Sequence, residues 1–318
     1  MFLRHFGSHV AVRTPAKLNL FLEVLGRRAD GYHELETLMT TVGIYDRLEV
    51  ASRDDGQVAL TCGWEAGLNA GSRLRRESPQ ATPTAFEPLP SGGDNLVVKT
   101  AERLRLRSGE TRGATLRLRK SIPAAAGLGG ASADAAATLI ALNALWGLGW
   151  TRPRLAEVAA EVGSDVPFFV GDERGPADVA VCRGRGERIE RAACAGPLAC
   201  VVVRPPAGLS TAAVFRACRP AESPRDCEPL ARALRRGDLR GVGRSLHNRL
   251  QEAALDLSPW IKRLHDWFAR YPLVGHQMSG SGTSYFGICH SPRVARRLAQ
   301  VARQAGWDAA FACAAPAV

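Results

Sequence analysis

The stretch Pro123-Ala124-Ala125-Ala126-Gly127-Leu128-Gly129-Gly130-Ala131-Ser132-Ala133-Asp134 runs straight into Ala135-Ala-Ala-Thr-Leu-Ile-Ala-Leu-Asn143. Before it, Ala114-Thr-Leu-Arg-Leu-Arg-Lys120 alternates apolar and polar residues, the period of a half-buried strand. After it, alanines and leucines read as a buried helix. The stretch is therefore a strand, a glycine-rich loop and a helix. Gly127, Gly129 and Gly130 carry no side chain, so a phosphate can approach their amides. The helix behind them adds unpaired N–H groups and a partial positive charge at its start. The pattern describes an anion cradle suited to a nucleotide; its plainer reading is a helix start that packs tightly. Two familiar glycine motifs are excluded. A Walker loop ends in Gly-Lys-Ser/Thr, and no lysine lies between Lys120 and Asn143. A dinucleotide fingerprint needs a third glycine where Ser132 stands.

Upstream, Pro15-Ala-Lys-Leu-Asn-Leu-Phe-Leu22 has strand alternation. It predicts Lys17, Asn19 and Phe21 on one face and Leu18, Leu20 and Leu22 on the other. A lysine beside an asparagine can grip a polar ligand, or mark a wet edge. Two short strands, His9 to Arg13 and Ala16 to Leu25, are expected around Pro15. Arg27-Arg-Ala-Asp-Gly-Tyr-His33 follows, a turn ending in an aromatic and a histidine that suit a flat heterocycle as well as simple packing. Strands are expected at Leu35–Val42, Arg47–Ala51 and Val58–Cys62. Residues 63–93 have no period, are rich in Gly, Pro, Ser and Thr, and read as a surface insertion.

Downstream, a helix is expected from Asp94 to Leu106, and another from Arg152 to Val162, capped by Thr151 and stopped by Gly163. Gly163-Ser-Asp-Val-Pro-Phe-Phe-Val170 sets Asp165 past a helix end and before an apolar run read as a strand. Asp165 is there a turn residue or a catalytic base. A hairpin is expected over Asp178–Ala192. Near residue 195 the pattern restarts with a strand at Leu198–Arg204. Helices are expected after Ser210 and over Asp226–Arg236, Asp238–Ala254 and Ser258–Ala269. The glycine-rich turn Gln277-Met-Ser-Gly-Ser-Gly-Thr-Ser-Tyr-Phe-Gly287 leads into a strand, and a helix at Ser291–Ala305 and a strand at Trp307–Ala314 complete an α+β unit.

At 318 residues the chain supports two domains, read as 1–194 and 195–318. Its formal charge of +11 suits a polyanionic ligand, but the basic residues are scattered and form no long run, which favours solvated surface charge. The eight cysteines include no C-x-x-C pair, so they predict neither a zinc site nor a disulfide framework, and point to a reducing, cytoplasmic setting. The first residues lack a signal-type apolar core, and no apolar run reaches the ~18 residues of a membrane span.

The loop Pro-x-x-x-Gly-Leu-Gly-Gly-x-Ser resembles the phosphate loop of the GHMP kinases, the galactose, homoserine, mevalonate and phosphomevalonate kinases and their relatives. The resemblance extends over nearly the whole chain through the motif at Pro15–Leu22 and the second glycine turn at Gly280 and Gly282. Arg28-Ala-Asp-Gly-Tyr-His33 and Gly163-Ser-Asp-Val-Pro-Phe-Phe169 narrow it to the branch serving the non-mevalonate isoprenoid pathway, whose alcohol carries a diphosphocytidyl group. The resemblance implies an α+β fold with an N-terminal domain like ribosomal protein S5 and a C-terminal ferredoxin-like plait. It implies an ATP-dependent kinase, with Mg²⁺ as companion, acting on the 2-hydroxyl of that methylerythritol derivative. Asp165 would be the general base and Lys17 its partner. Pro123 to Ala133 (Pro123, Ala124, Ala125, Ala126, Gly127, Leu128, Gly129, Gly130, Ala131, Ser132 and Ala133) would bind ATP. Asn19 would orient the substrate, Tyr32 and Phe215 would stack on the cytosine, His33 would bond its edge and Thr211 would line the pocket. Asn95 would border the adenine, and no metal ligand is assigned. The partner is a small molecule with a cytidine diphosphate group, with no nucleic acid or membrane, and the chain acts as a monomer or homodimer. Two rivals stay open: another GHMP small-molecule kinase, and a non-catalytic nucleic-acid-binding relative.

Overall fold

Strand β2 (His9–Arg27) is the backbone of the molecule. In the computed structural model, which describes residues 1–65, 89–90, 92–307 and 309–316, it runs for 19 residues where two shorter strands were expected. Pro15 does not end it. The register against β3 (His33–Arg53) shifts between Pro15 and Ala16, and a bulge accommodates a residue that cannot donate to the ladder. Further shifts lie between Asn19 and Phe21 and between Val24 and Gly26. β1 (Phe2–Phe6) flanks β2. On the other side of β3 lie β5 (Gly113–Lys120) and then β4 (Val58–Trp64), which pairs parallel with β5. The hairpin of β6 (Val179–Gly184) and β7 (Arg188–Arg191) also joins β3. The predicted insertion at 63–93 lies outside the described residues over 66–88 and at 91.

Helix α1 (Leu96–Ser108) starts where expected, with Asn95 Oδ1 accepting from Val97 N, and closes on left-handed Gly109. Helix α2 (Gly130–Leu145) follows the glycine loop, and its alanines and leucines are almost all buried. Helix α3 (Arg152–Val162) has the predicted bounds. The run Val166–Val170, read as a strand, is a short helix, α4. A buried apolar run of five residues has no period to distinguish the two, and Pro167 in its first turn presets a helical φ. These helices pack on the sheet through Leu48, Leu116, Leu139, Leu142 and Phe168.

The second sheet is antiparallel throughout, in the order β10 (Gly275–Met278), β11 (Tyr285–Cys289), β8 (Leu198–Arg204), β12 (Ala309–Ala315). One face, through Cys200, Val202, Phe286 and Ile288, meets Leu18, Leu20, Phe21 and Leu38 of the first sheet. The other is covered by helices that include α5 (Thr211–Ala217) and α10 (Pro292–Gln304). Helix α6 (Glu228–Arg236) packs at the edge of the first interface through Leu230 and Leu234. The single helix expected over Asp238–Ala254 is broken. Helices α7 (Leu239–Ser245) and α8 (Leu250–Leu257) are separated by β9 (His247–Asn248), which pairs parallel with Phe21 and Leu22. Helix α9 (Pro259–Phe268) follows. In this way the second half of the chain adds a strand to the first sheet.

Candidate active site

Lys17 and Asp165, far apart in sequence, meet with Nζ 3.3 Å from Oδ2. The lysine side chain is 5% exposed and the carboxylate 32%, so the acid is the member a ligand can reach. Lys17 Nζ also donates to Asn19 Oδ1 at 2.6 Å. Asn19 Nδ2 donates to Thr37 Oγ1 at 2.8 Å, and Thr37 Oγ1 donates to Phe21 O at 2.6 Å. The chain of donors fixes the Asn19 amide and aims the ammonium. Strand pleating puts Lys17 and Asn19 on one face, as the alternation requires. Phe21 departs from the predicted face. The register shift after Asn19 turns it into the core beside Leu18 and Leu20, and Leu22 lines the cavity in its place.

The phosphate loop is held by its carbonyls. Lys17 N donates to Leu128 O at 2.9 Å, Ser284 N to Ala126 O at 3.0 Å and Ser279 Oγ to Gly127 O at 3.0 Å. Carbonyl oxygens repel an anion, and these are engaged by β2 and by the second glycine turn. At the head of α2 the first amides have no intrahelical acceptor and are left for a ligand. Ala125, Gly127, Gly129 and Ser132 line the cavity, whereas Pro123, Ala126, Leu128, Gly130 and Ala133 are buried; Ala124 is half-buried and Ala131 exposed. The glycines also serve a second purpose. A Cβ on Gly127, at φ +70°, would lie 2.2 Å from Ser279 O; one on Gly129, at φ +69°, would lie 2.8 Å from Lys17 Cγ. Contact between the two glycine turns thus requires bare backbone, independently of any phosphate.

Beneath the loop is a buried ionic trio that the sequence did not disclose. Lys120 Nζ bonds Asp46 and, at 2.6 Å, Asp134 Oδ2. Asp46 Oδ1 accepts from Ser121 N at 2.5 Å and Ile122 N at 2.9 Å, the two amides leading into the loop. Burial pushes the Asp134 carboxyl well above the usual range against the pull of Lys120, with the charge of Asp46 adding to the rise. Burial would lower the Lys120 ammonium, but the two carboxylates outweigh it and raise it.

The same cavity of about 980 Å³ is also lined by Tyr32, His33, Thr211 and Phe215. The His33 ring stacks on Phe215 with centroids 5.1 Å apart. Burial, helped by the charge of Arg27, lowers the His33 pKa and favours its neutral form. Tyr32 is 52% exposed, with the Arg185 guanidinium 4.8 Å from its ring centroid. Phe215 thus has one face against His33, and Tyr32 lies under Arg185. Thr211 Oγ1 lies 2.8 Å from Ser281 Oγ and ties α5 to the second glycine turn. Asn95 is spent on its cap and on Pro90 O.

The structure thus brings the lysine, the aspartate, the loop and the aromatics to one cavity. Sequence reasoning missed the braces. Asn248 Nδ2 donates to Met278 O and Gly280 O, both at 2.8 Å, and Gln277 Nε2 to Asn19 O at 2.9 Å. Asn248 was hidden in a helical reading; Gln277 stood in the quoted turn without a role. Among the described residues, one group, Glu36, Asp226 and Cys227, could gather three metal ligands; none of the three lines the cavity, and Glu36 already bonds Arg183 and Cys227 N. All eight cysteines are free thiols. Among the described residues no helix is long and apolar enough to cross a membrane.

Comparison with known proteins shows the family. Residues 95–184 match the GHMP kinases N terminal domain, and residues 230–307 the GHMP kinases C terminal domain. A 4-diphosphocytidyl-2-C-methyl-D-erythritol kinase of Pelotomaculum thermopropionicum is 39% identical over 286 residues, 89% of this chain and 90% of the relative. One of the same name from Symbiobacterium thermophilum is 38% identical over 306 residues, covering 94% and 97%. A crystal structure of 4-(cytidine 5'-diphospho)-2C-methyl-D-erythritol kinase superposes with a TM-score of 0.73 at 33% identity, covering 96% of this chain and 98% of that one. Homoserine kinase from Cytophaga hutchinsonii shares the fold at 18% identity and a TM-score of 0.69.

Proposed function

The chain belongs to the GHMP kinase family, in the branch of the 4-diphosphocytidyl-2-C-methyl-D-erythritol kinases, and on that premise we propose how its residues move a phosphoryl group from ATP to the 2-hydroxyl of that alcohol. The observation that carries the reading is the Lys17–Asp165 contact of 3.3 Å, in a cavity lined by the phosphate loop and by Tyr32, His33 and Phe215.

Asp165 accepts the hydroxyl proton as the oxygen attacks the terminal phosphorus. Lys17, 3.3 Å from that carboxylate, offsets the charge of the transferring group. Asn19, held by Thr37, orients Lys17 and the substrate. The amides at the head of α2 and Ser132 take the ATP phosphates. Of the cavity's oxygen donors, Ser132 and Asp165 would hold Mg²⁺, which would supply charge neutralisation. Tyr32 and Phe215 stack on the cytosine while neutral His33 bonds its edge, and Thr211 lines the same cavity. The free thiols suit a cytoplasmic enzyme whose partners are small molecules. Release of ADP tests the assignment. The diphosphocytidyl alcohol should support turnover, and mevalonate and galactose should not. Equal rates with the three would end it.

A further inference from the structure

Among the described residues Arg185 makes no ion pair, unlike its neighbours Arg183 and Arg188. On the same hairpin Arg183 bonds Glu36 and Glu190, and Arg188 bonds Glu34. Across the cavity mouth Arg28 bonds Asp30 and Glu34. Among the described residues Arg185 has no carboxylate within ion-pair distance; its one side-chain hydrogen bond, from Nη2 to Ala160 O, is 3.5 Å long. The guanidinium lies instead over Tyr32, half-buried and in the cavity lining. Apart from that one long bond, the guanidinium N–H donors have no side-chain acceptor among the described residues, and a guanidinium is suited to a phosphate fork.

Its position fits that task. Arg185 is followed by Gly186, whose Cβ position lies 3.7 Å from Asp165 Oδ1, so the hairpin tip passes beside the catalytic carboxylate. From there the side chain reaches Tyr32. It therefore spans the interval between the reacting hydroxyl and the base, which in the substrate is occupied by the diphosphate. We infer that Arg185 binds the diphosphate of the acceptor substrate, with Tyr32 as the platform that holds its guanidinium flat. The inference rests on the site reading given above. Arg27 and Arg216 line the same cavity but are exposed, and add field rather than a directed bond.

The test is calorimetric binding of cytidine diphosphate and of cytidine to the full-length protein and to Arg185→Ala and Arg185→Lys, with steady-state constants alongside. The wild type should bind cytidine diphosphate more tightly than cytidine. In Arg185→Ala the diphosphate should weaken about 10- to 100-fold while cytidine and the KM for ATP change little, and Arg185→Lys should recover part of the loss. An equal loss for the two ligands would mean that Arg185 only steadies Tyr32, and would overturn the inference; so would an unchanged diphosphate affinity. A wild type that turns over the diphosphocytidyl alcohol while Arg185→Ala is unaffected removes Arg185 alone. A wild type that neither prefers cytidine diphosphate nor turns over that alcohol removes the site reading as well.

Discussion

Asp165 has Lys17 on one side and lines the cavity on its exposed side, the arrangement the proposed proton acceptor needs. Replacing it by asparagine keeps the shape and removes the proton acceptor. Asp165→Asn should therefore lower kcat by about 10²- to 10⁴-fold with substrate affinity nearly intact, measured by ADP release and by equilibrium binding. Near-normal turnover would exclude it as the base. Both residues were legible through their motifs, since local sequence identifies a residue's type and neighbours. Phe21 was misplaced because alternation holds only while register holds, and one extra residue in β2 reverses the side chains up to the next shift. Arg185 gave no sign: among the arginines of a basic chain, only coordinates distinguish a paired side chain from a free one.

The loop-helix element rests on Lys120, Asp46 and Asp134, which join the end of β5, β3 and the first turns of α2. Removing the cation leaves two buried carboxylates facing each other. Lys120→Met should cost about 3–5 kcal/mol in urea unfolding, and a loss below 1 kcal/mol would show that the trio has no structural weight. Elements with end signals were read well. Helix α3 has its predicted bounds because Pro153 and Gly163 mark them. Helix α4 and the break at β9 were not legible. A five-residue apolar run has no period, and Asn248 leaves helical geometry to bond the turn carbonyls of Met278 and Gly280, a demand set by residues 30 and 32 positions away.

Across the whole molecule, Glu23 joins the first sheet to the second half of the chain. It is fully buried, bonds Arg249 at 2.7 and 3.0 Å, and accepts from Arg225 N at 3.1 Å. Burial would raise its pKa, but the Arg249 bonds and the amides of Arg225 and Val24 prevail and hold it at about 2. A carboxyl held below its unfolded value of 4.5 adds stability that is complete above that value and is lost as pH falls towards 2. Glu23→Gln should flatten the acid side of the stability curve in that window, followed by urea midpoints from pH 5 to 2.5. A curve parallel to wild type would rule out this role. Such joins explain why the global arrangement was beyond pattern reading: periodicity describes what each segment is, whereas the meeting of Lys17, Gly127, Asp165 and Ser279 depends on how distant segments stack.

Among the described residues strand β2 supplies three hydrophobic clusters, with Val10 and Val12 in one, Leu18, Leu20 and Phe21 in the next, and Leu22 and Val24 in the last, which is completed by Ile261, Tyr285 and Leu298. On the ribosome this segment emerges well before Ile261, Tyr285 and Leu298, which follow it far along the chain. Its apolar side chains must therefore wait, exposed, until those partners are made, and a chaperone that shields them over that interval would raise the yield of active enzyme more than any help given after release.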